Sequence, residues 1–259
     1  MHRVLIIAGS DSSGGAGIQA DIKTVTCLGG YAMTAITALT VQNTLGVSDV
    51  MAVPPDFIRA QARACLDDIG ADAIKTGMLG DVATLEVVSE VIEGARLFTV
   101  VDPVMVAKGG HALLADQAVD AMKALLVPLA DLLTPNVPEA HALTGLAIDS
   151  EDDMRAAGEA LLQMGAKNVL MKGGHMPGDE VVDWLVTPKQ TFRFAGPRID
   201  TRHTHGTGCT LASACAALMR EGRPLDEAVG LAKDYIGGAI LMAPGLGQGH
   251  GPLRHNWLL

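Results

Sequence analysis

The chain has 259 residues, 49% of them hydrophobic and only 3% aromatic, with a formal net charge of −10. A chain this acidic, with few rings to stack on bases, is a poor partner for nucleic acid or an anionic membrane. The length and apolar content suit one large α/β domain over residues 1–259, with a core of Ala, Val, Leu, Ile and Met.

In chain order, short apolar runs at residues 4–8, 33–39, 73–76, 98–102, 132–134 and 168–171 read as strands. Amphipathic stretches at 16–28, 55–69, 82–92, 116–126 and 151–164 read as helices between them. Ser150 followed by Asp153 marks a capping-box start for the last of these. Nearly continuous apolar strands alternating with helices mean a mostly parallel sheet covered on both faces. After Gly174 the pattern changes. Residues 181–186 and 192–199 read as a hairpin turning near Pro188-Lys189, and helices follow near 210–220 and 225–243. The apolar run after Arg3 is too short for a signal peptide. No segment approaches the roughly 20 apolar residues of a membrane span, so a cytoplasmic protein is expected. By spacing, Cys27, Cys65, Cys209 and Cys215 suggest no disulfide framework or zinc site. Cys27, Cys65 and Cys215 read as buried thiols in a reducing compartment.

In a sheet of this kind, ligands bind beyond the carboxyl ends of the strands. Five polar or glycine-rich segments fall there: residues 9–17, 75–78, 102–105, 134–139 and 172–175. The first contains Gly15-Ala16-Gly17-Ile18-Gln19-Ala20, a formal dinucleotide fingerprint. The acidic residue such a site needs about 20 positions on is missing, which argues against NAD. No Gly-x-x-x-x-Gly-Lys-Ser/Thr run occurs, which excludes a P-loop.

The strongest signal is His203-Thr204-His205-Gly206-Thr207-Gly208-Cys209-Thr210-Leu211, a small-residue loop running into an apolar helix. The unpaired N–H groups and positive dipole end of such a helix suit a phosphoryl group in transit. Gly206 and Gly208 let the backbone approach it. Lys172, where a strand stops against two glycines, is the best candidate to neutralise phosphate charge as a mobile point charge. Gln42 offers an acceptor and a donor side by side.

Gly206-Thr207-Gly208-Cys209 resembles the anion-hole signature of the ribokinase superfamily. Most members carry Asp at the fourth position as the base for the substrate hydroxyl. Cys209 there, followed by Thr-Leu, is similar to the hydroxymethylpyrimidine/phosphomethylpyrimidine kinases of thiamin biosynthesis and to a related group of pyridoxal kinases. Gly14-Gly15-Ala16-Gly17-Ile18-Gln19-Ala20-Asp21, Val41-Gln42-Asn43-Thr44, Lys75-Thr76-Gly77-Met78-Leu79, Asp102-Pro103-Val104-Met105-Val106-Ala107-Lys108, Lys172-Gly173-Gly174-His175 and Gly247-Gln248-Gly249-His250-Gly251-Pro252 resemble the pyrimidine kinases in order along the chain. Ser13 and Gly110 depart from the pattern by one small residue.

The resemblance implies a ribokinase-like three-layer α/β/α sandwich with a mostly parallel central sheet, and a homodimer. It implies ATP-dependent phosphorylation of 4-amino-5-hydroxymethyl-2-methylpyrimidine and its monophosphate, with pyridoxal as the alternative acceptor. Gly206, Thr207, Gly208, Cys209 and Lys172 would be catalytic, and Lys172, Thr207 and Asn136 would bind ATP. Asn136-Val137-Pro138-Glu139 is similar to the superfamily's N-x-x-E motif, so Glu139 would hold Mg2+ through water. Asp102 either shares the metal or is a structural Asp before Pro103. Gln42, Gly9, Asp21, Met78 and Val104 would line the pyrimidine pocket, although a lone Met such as Met78 can equally be core. Cys209, at a helix N-terminus where thiol pKa values fall, is either a partly ionised base or a thiol that positions the hydroxyl. His203 and His205 read as loop structure or ATP contacts. A ligand-binding regulator that lost catalysis is disfavoured by the retention of Lys172, Glu139, Gly206, Gly208 and Cys209.

Overall fold

The computed structural model describes residues 1–105, 116–220 and 222–259. Val106, Ala107, Lys108 and Gly110 of the resemblance lie outside the described residues. The elements in chain order are β1 (Arg3–Asp11), α1 (Gly17–Cys27), β2 (Tyr31–Asn43), β3 (Gly46–Ala52), α2 (Pro55–Asp68), β4 (Ala73–Thr76), α3 (Val82–Ala95), β5 (Phe98–Val101) and α4 (Asp116–Ala121). They continue with β6 (Leu132–Leu133), α5 (Val137–Thr144), α6 (Glu151–Gln163), β7 (Val169–Met171), β8 (Glu180–Val186), β9 (Thr191–Pro197), α7 (Thr207–Leu218) and α8 (Leu225–Leu241).

Among the described residues the strands form one sheet in the order β3-β2-β1-β4-β5-β6-β7-β8-β9. The central strands β2 to β7 pair in parallel, while β3, β8 and β9 are antiparallel additions at the two edges. Alternate strand residues point to opposite faces, and β1 shows the consequence. Val4, Ile6 and Ala8 enter one core with residues of α1, α7 and α8, whereas Leu5 and Ile7 enter the other with α2, α3 and α6. This is the expected three-layer sandwich. Each fully buried Leu or Ile is worth about 1.5–3 kcal/mol, so a strand buried on both faces anchors the centre of the sheet.

Two elements escaped the sequence reading. β3 has no clean apolar alternation, because Val47 is its one buried residue and Ser48 to Ala52 are exposed. α5 was read only as a strand end. Its start is a capping box in which Asn136 Oδ1 accepts from the Glu139 amide at 2.9 Å and Glu139 Oε2 accepts from the Asn136 amide at 2.8 Å. The Asn-x-x-Glu spacing with a proline in the first turn could have revealed it. The Ser150 cap of α6 is present as expected, accepting from the Asp153 amide at 3.1 Å.

Every residue of α7 from Thr210 to Leu218 is buried. A helix buried all round must lie inside the molecule, and α7 is clamped between α1, α8 and the sheet at β4 and β5. That clamp aims its N-terminus at the carboxyl ends of the central strands. Of the cysteines read as buried, Cys215 is, but Cys27 and Cys65 are only half-buried. Among the described residues no helix is long and apolar enough to cross a membrane.

Candidate active site

A cavity of about 510 Å3 opens at the carboxyl ends of the parallel strands. It is lined from the β1 end (Gly9, Asp11), the β4 end (Gly77, Met78), the β5 end (Asp102, Val104), α5 (Asn136, Glu139), the β7 end (Lys172) and α7 (Gly206 to Cys209). All five strand-end segments picked from the sequence therefore meet.

The anion-hole turn rests on one glycine. Gly206 caps α7 at a φ of 84°, in the left-handed region that favours glycine. A Cβ there would collide with the Gly15 carbonyl. The first intrahelical bond runs from the Thr210 amide to the Gly206 carbonyl at 2.9 Å, so the Gly208 and Cys209 amides precede it and face the cavity end. A Cβ on Gly208 would lie 3.3 Å from Lys172 Nζ, so this glycine leaves the ammonium room to reach the turn.

Lys172 Nζ sits 2.8 Å from Asp102 Oδ1 and 3.8 Å from Glu139 Oε2. Burial works against its charge, but Asp102 and Glu139 outweigh that and hold it protonated. Thr134 Oγ1 donates to the same Asp102 oxygen at 3.0 Å. Burial pushes the Glu139 carboxyl up to about 7, with Asp102 adding to the rise and Lys172 and the capping amide opposing it. Among the described residues no group of three His, Cys, Asp or Glu could hold a metal. Glu139 and Asp102 can offer hard oxygens only to a cation that also takes phosphate and water, which fits Mg2+.

On the opposite wall, Thr40 Oγ1 lies 3.0 Å from Gln42 Oε1, and His205 Nε2 lies 3.4 Å from Gln42 Nε2. His205 is buried and pairs with Asp11 Oδ2 at 2.8 Å. Asp11 also accepts from the amides of Ser13, Gly15 and Ala16. Burial works to raise the Asp11 carboxyl, yet bonds from His205, Ser13 and Ala16 prevail and hold it at about 2. The sequence reading placed His205 in the loop but missed its tie to Asp11, which staples the first glycine-rich loop to the anion-hole turn.

One expectation needs correction. Asp21 does not line the cavity; it is fully buried beneath it, bonded to Lys75 and Ser213. For Cys209, read from sequence as either a partly ionised base or a positioning thiol, burial outweighs the pull of Lys75 and pushes the thiol up to about 11. Gly9 and Met78 share a wall so closely that a Cβ on Gly9 would lie 2.9 Å from Met78 Cε.

The profile of a family described as phosphomethylpyrimidine kinase matches residues 11–254. The chain belongs to this family. A hydroxymethylpyrimidine/phosphomethylpyrimidine kinase of Streptomyces coelicolor is 47% identical over 99% of this chain and 95% of its own length. A bifunctional thiamine biosynthesis protein of Geobacter sulfurreducens is 52% identical over 97% of this chain, which spans 52% of that protein's length. A pyridoxal kinase of Bacillus subtilis, solved as an ADP complex, superposes with a TM-score of 0.92 at 39% identity, covering 100% of this chain and 98% of that one. A phosphomethylpyrimidine kinase of Clostridium difficile gives 0.83 at 42% identity, over 93% of this chain and 100% of that one. This phosphomethylpyrimidine kinase family member thus has the ribokinase-like α/β/α fold expected from its motifs.

Proposed function

We propose that the chain transfers the γ-phosphoryl group of ATP to 4-amino-5-hydroxymethyl-2-methylpyrimidine and then to its monophosphate, a sequence of steps in thiamin biosynthesis. The observation that carries this reading is one cavity lined by Gln42 on one side and by Lys172 and Gly206-Thr207-Gly208-Cys209 on the other.

Phosphoryl transfer demands mainly positioning and charge neutralisation. Gln42 pairs with the ring amine and its neighbouring nitrogen, with Gly9, Met78 and Val104 as walls. That pairing turns the hydroxymethyl group toward Cys209. The Gly208 and Cys209 amides and the Lys172 ammonium take up charge on the moving phosphoryl group, with Thr207 and Asn136 against the nucleotide phosphates. Glu139 and Asp102 would hold Mg2+ jointly with those phosphates, and the bound ion would supply further charge neutralisation.

A second reading, phosphorylation of pyridoxal, is favoured by the fold match to the Bacillus subtilis pyridoxal kinase. Pyridoxal also carries a hydroxymethyl group on a nitrogen ring, but it lacks the exocyclic amine beside that nitrogen. Gln42 therefore supports the pyrimidine. The test is ATP consumption with hydroxymethylpyrimidine, its monophosphate and pyridoxal in parallel. Both pyrimidines are expected to be turned over far better than pyridoxal. Gln42→Leu should raise the pyrimidine KM about tenfold or more, since an unpaired buried donor or acceptor costs about 1–3 kcal/mol, with the KM for ATP unchanged. Unaltered pyrimidine kinetics would remove Gln42 from the recognition site.

The protein is further proposed to act as a homodimer in the cytoplasm. Leu39, Val41 and Met51 are exposed on one face of the neighbouring strands β2 and β3, an apolar surface that a second copy would cover. Light scattering at micromolar protein should give twice the chain mass, and a monomer mass would contradict the dimer. Its four free thiols suit a reducing compartment, and recovery of the protein in a membrane or secreted fraction of cells would refute that location.

A further inference from the structure

Directly beneath the cavity floor, Lys75 and Asp21 form an ion pair with both side chains fully buried. Asp21 Oδ1 and Oδ2 accept from Lys75 Nζ at 2.9 and 2.8 Å, and Ser213 Oγ donates to Oδ1 at 2.7 Å. Taking two charges out of water is expensive, and well-packed apolar residues of similar volume often serve stability as well or better. Stability alone is thus a weak reason for this pair.

Its position supplies a better one. Asp21 belongs to α1, Lys75 to β4 and Ser213 to α7. The same three elements bring Gly17, Gly77 and Cys209 to the cavity wall. Ser213 follows Cys209 by one helical turn on the same face. A Cβ on Gly77 would come within 3.1 Å of Lys75 Nζ. The ammonium therefore lies just behind the part of the wall that Gly77 builds, and its partner Asp21 is bonded to Ser213, one helical turn from Cys209.

We propose that Lys75 is a positioning residue for phosphoryl transfer: held by Asp21 and Ser213, its fixed positive charge lets Cys209 part with its proton. This inference rests on the kinase reading above. The Cys209 thiol releases its proton to solvent, and the thiolate then takes the proton of the substrate hydroxyl. That oxygen bonds to the γ-phosphorus while the bond from the γ-phosphorus to the β–γ bridging oxygen breaks. The electron pair of that bond leaves with ADP, and Cys209 ends as a thiol.

The charges around the thiol come from four elements. Burial is the largest influence and disfavours ionisation. Lys75 from β4 is the strongest counterweight, while Asp21 from α1 and Asp102 from the β5 end oppose it. Lys172 beyond β7 also attracts a thiolate, and the Gly17 amide at the start of α1 favours it too. Burial likewise works against the charge on Lys75, but Asp21 and Asp102 hold the ammonium protonated.

Asp21 and Cys209 thus compete for one cation, and two variants separate the anion's effect from the cation's. Asp21→Asn keeps the side-chain shape and removes the rival anion. Lys75→Met combined with Asp21→Asn removes both charges and leaves no carboxylate orphaned. Alkylation of Cys209 can be mapped by mass spectrometry from about pH 7 to about pH 9.5, where the rate follows the thiolate fraction. A charge at close range moves a pKa by one unit or more, so Asp21→Asn should alkylate Cys209 about tenfold faster than wild type, and the double variant about tenfold slower than Asp21→Asn, because it removes the cation from the same background. The double variant should also show about tenfold lower kcat than Asp21→Asn, with KM for both substrates unchanged. A purely structural pair would leave the two variants alike. Equal alkylation in the two variants, with the double variant melting as a folded protein, overturns the proposal. If the double variant does not fold, Asp21→Asn decides alone, and unchanged or slower alkylation counts against Lys75. Wild-type protein that phosphorylated neither pyrimidine would overturn the kinase reading instead, a result the alkylation rates do not share.

Discussion

Replacing Cys209 with alanine is expected to lower kcat by about 10²–10⁴-fold, the usual worth of a positioned general base, while ATP and the pyrimidine still bind. The anion hole is made of backbone amides at the start of α7, and alanine keeps them. Only the side chain at the cavity wall is lost. The half-buried thiol, pushed up to about 11, is neutral at rest near neutral pH. The turnover of the wild type should therefore rise with pH as the thiolate fraction grows. Steady-state kinetics give the loss, and calorimetric titration of ATP and pyrimidine tests the retained binding. A loss under about tenfold would make the thiol a group that merely positions the hydroxyl. Loss of binding along with turnover would place Cys209 in ground-state recognition.

Gly206→Ala is expected to disable the enzyme through the backbone. Any side chain at a φ of 84° is strained by about 1–2 kcal/mol, and here the new Cβ would also strike the Gly15 carbonyl. Relief of that clash pushes the first glycine-rich loop away from α7 and displaces the amides that face the phosphoryl group. Loss of one such donor typically costs about 10²–10³ in kcat. The melting temperature should fall by roughly 2–8 °C, the scale of one to two kcal/mol in a chain of this size. Gly237→Ala is the matched control. Gly237 lies within α8 with open space where a Cβ would go, so alanine there should be neutral or stabilising by up to about 1 kcal/mol. Equal activity and melting in the two variants would mean that the α7 turn tolerates a side chain, contrary to its geometry.

The sequence by itself determined whatever rests on local pattern. β4 spans Ala73–Thr76, the same residues its apolar run marks out. The α6 cap at Ser150 was legible because capping depends on residues three apart. The cavity-lining segments were legible because glycine-rich and polar residues stand where strands stop. Long-range packing decided the rest. β3 is held by antiparallel pairing to β2 rather than by its own pattern. Asp21 could be assigned to the pocket only while its neighbours were unknown. Its partners Lys75 and Ser213 lie 54 and 192 residues away in sequence, and only the packing of α1, β4 and α7 brings them together. The ionisation of Cys209 was open in the sequence for the same reason. A helix N-terminus is visible in sequence and favours the thiolate. Burial among α1, β4 and α7, which opposes the thiolate more strongly, exists only once the chain has folded.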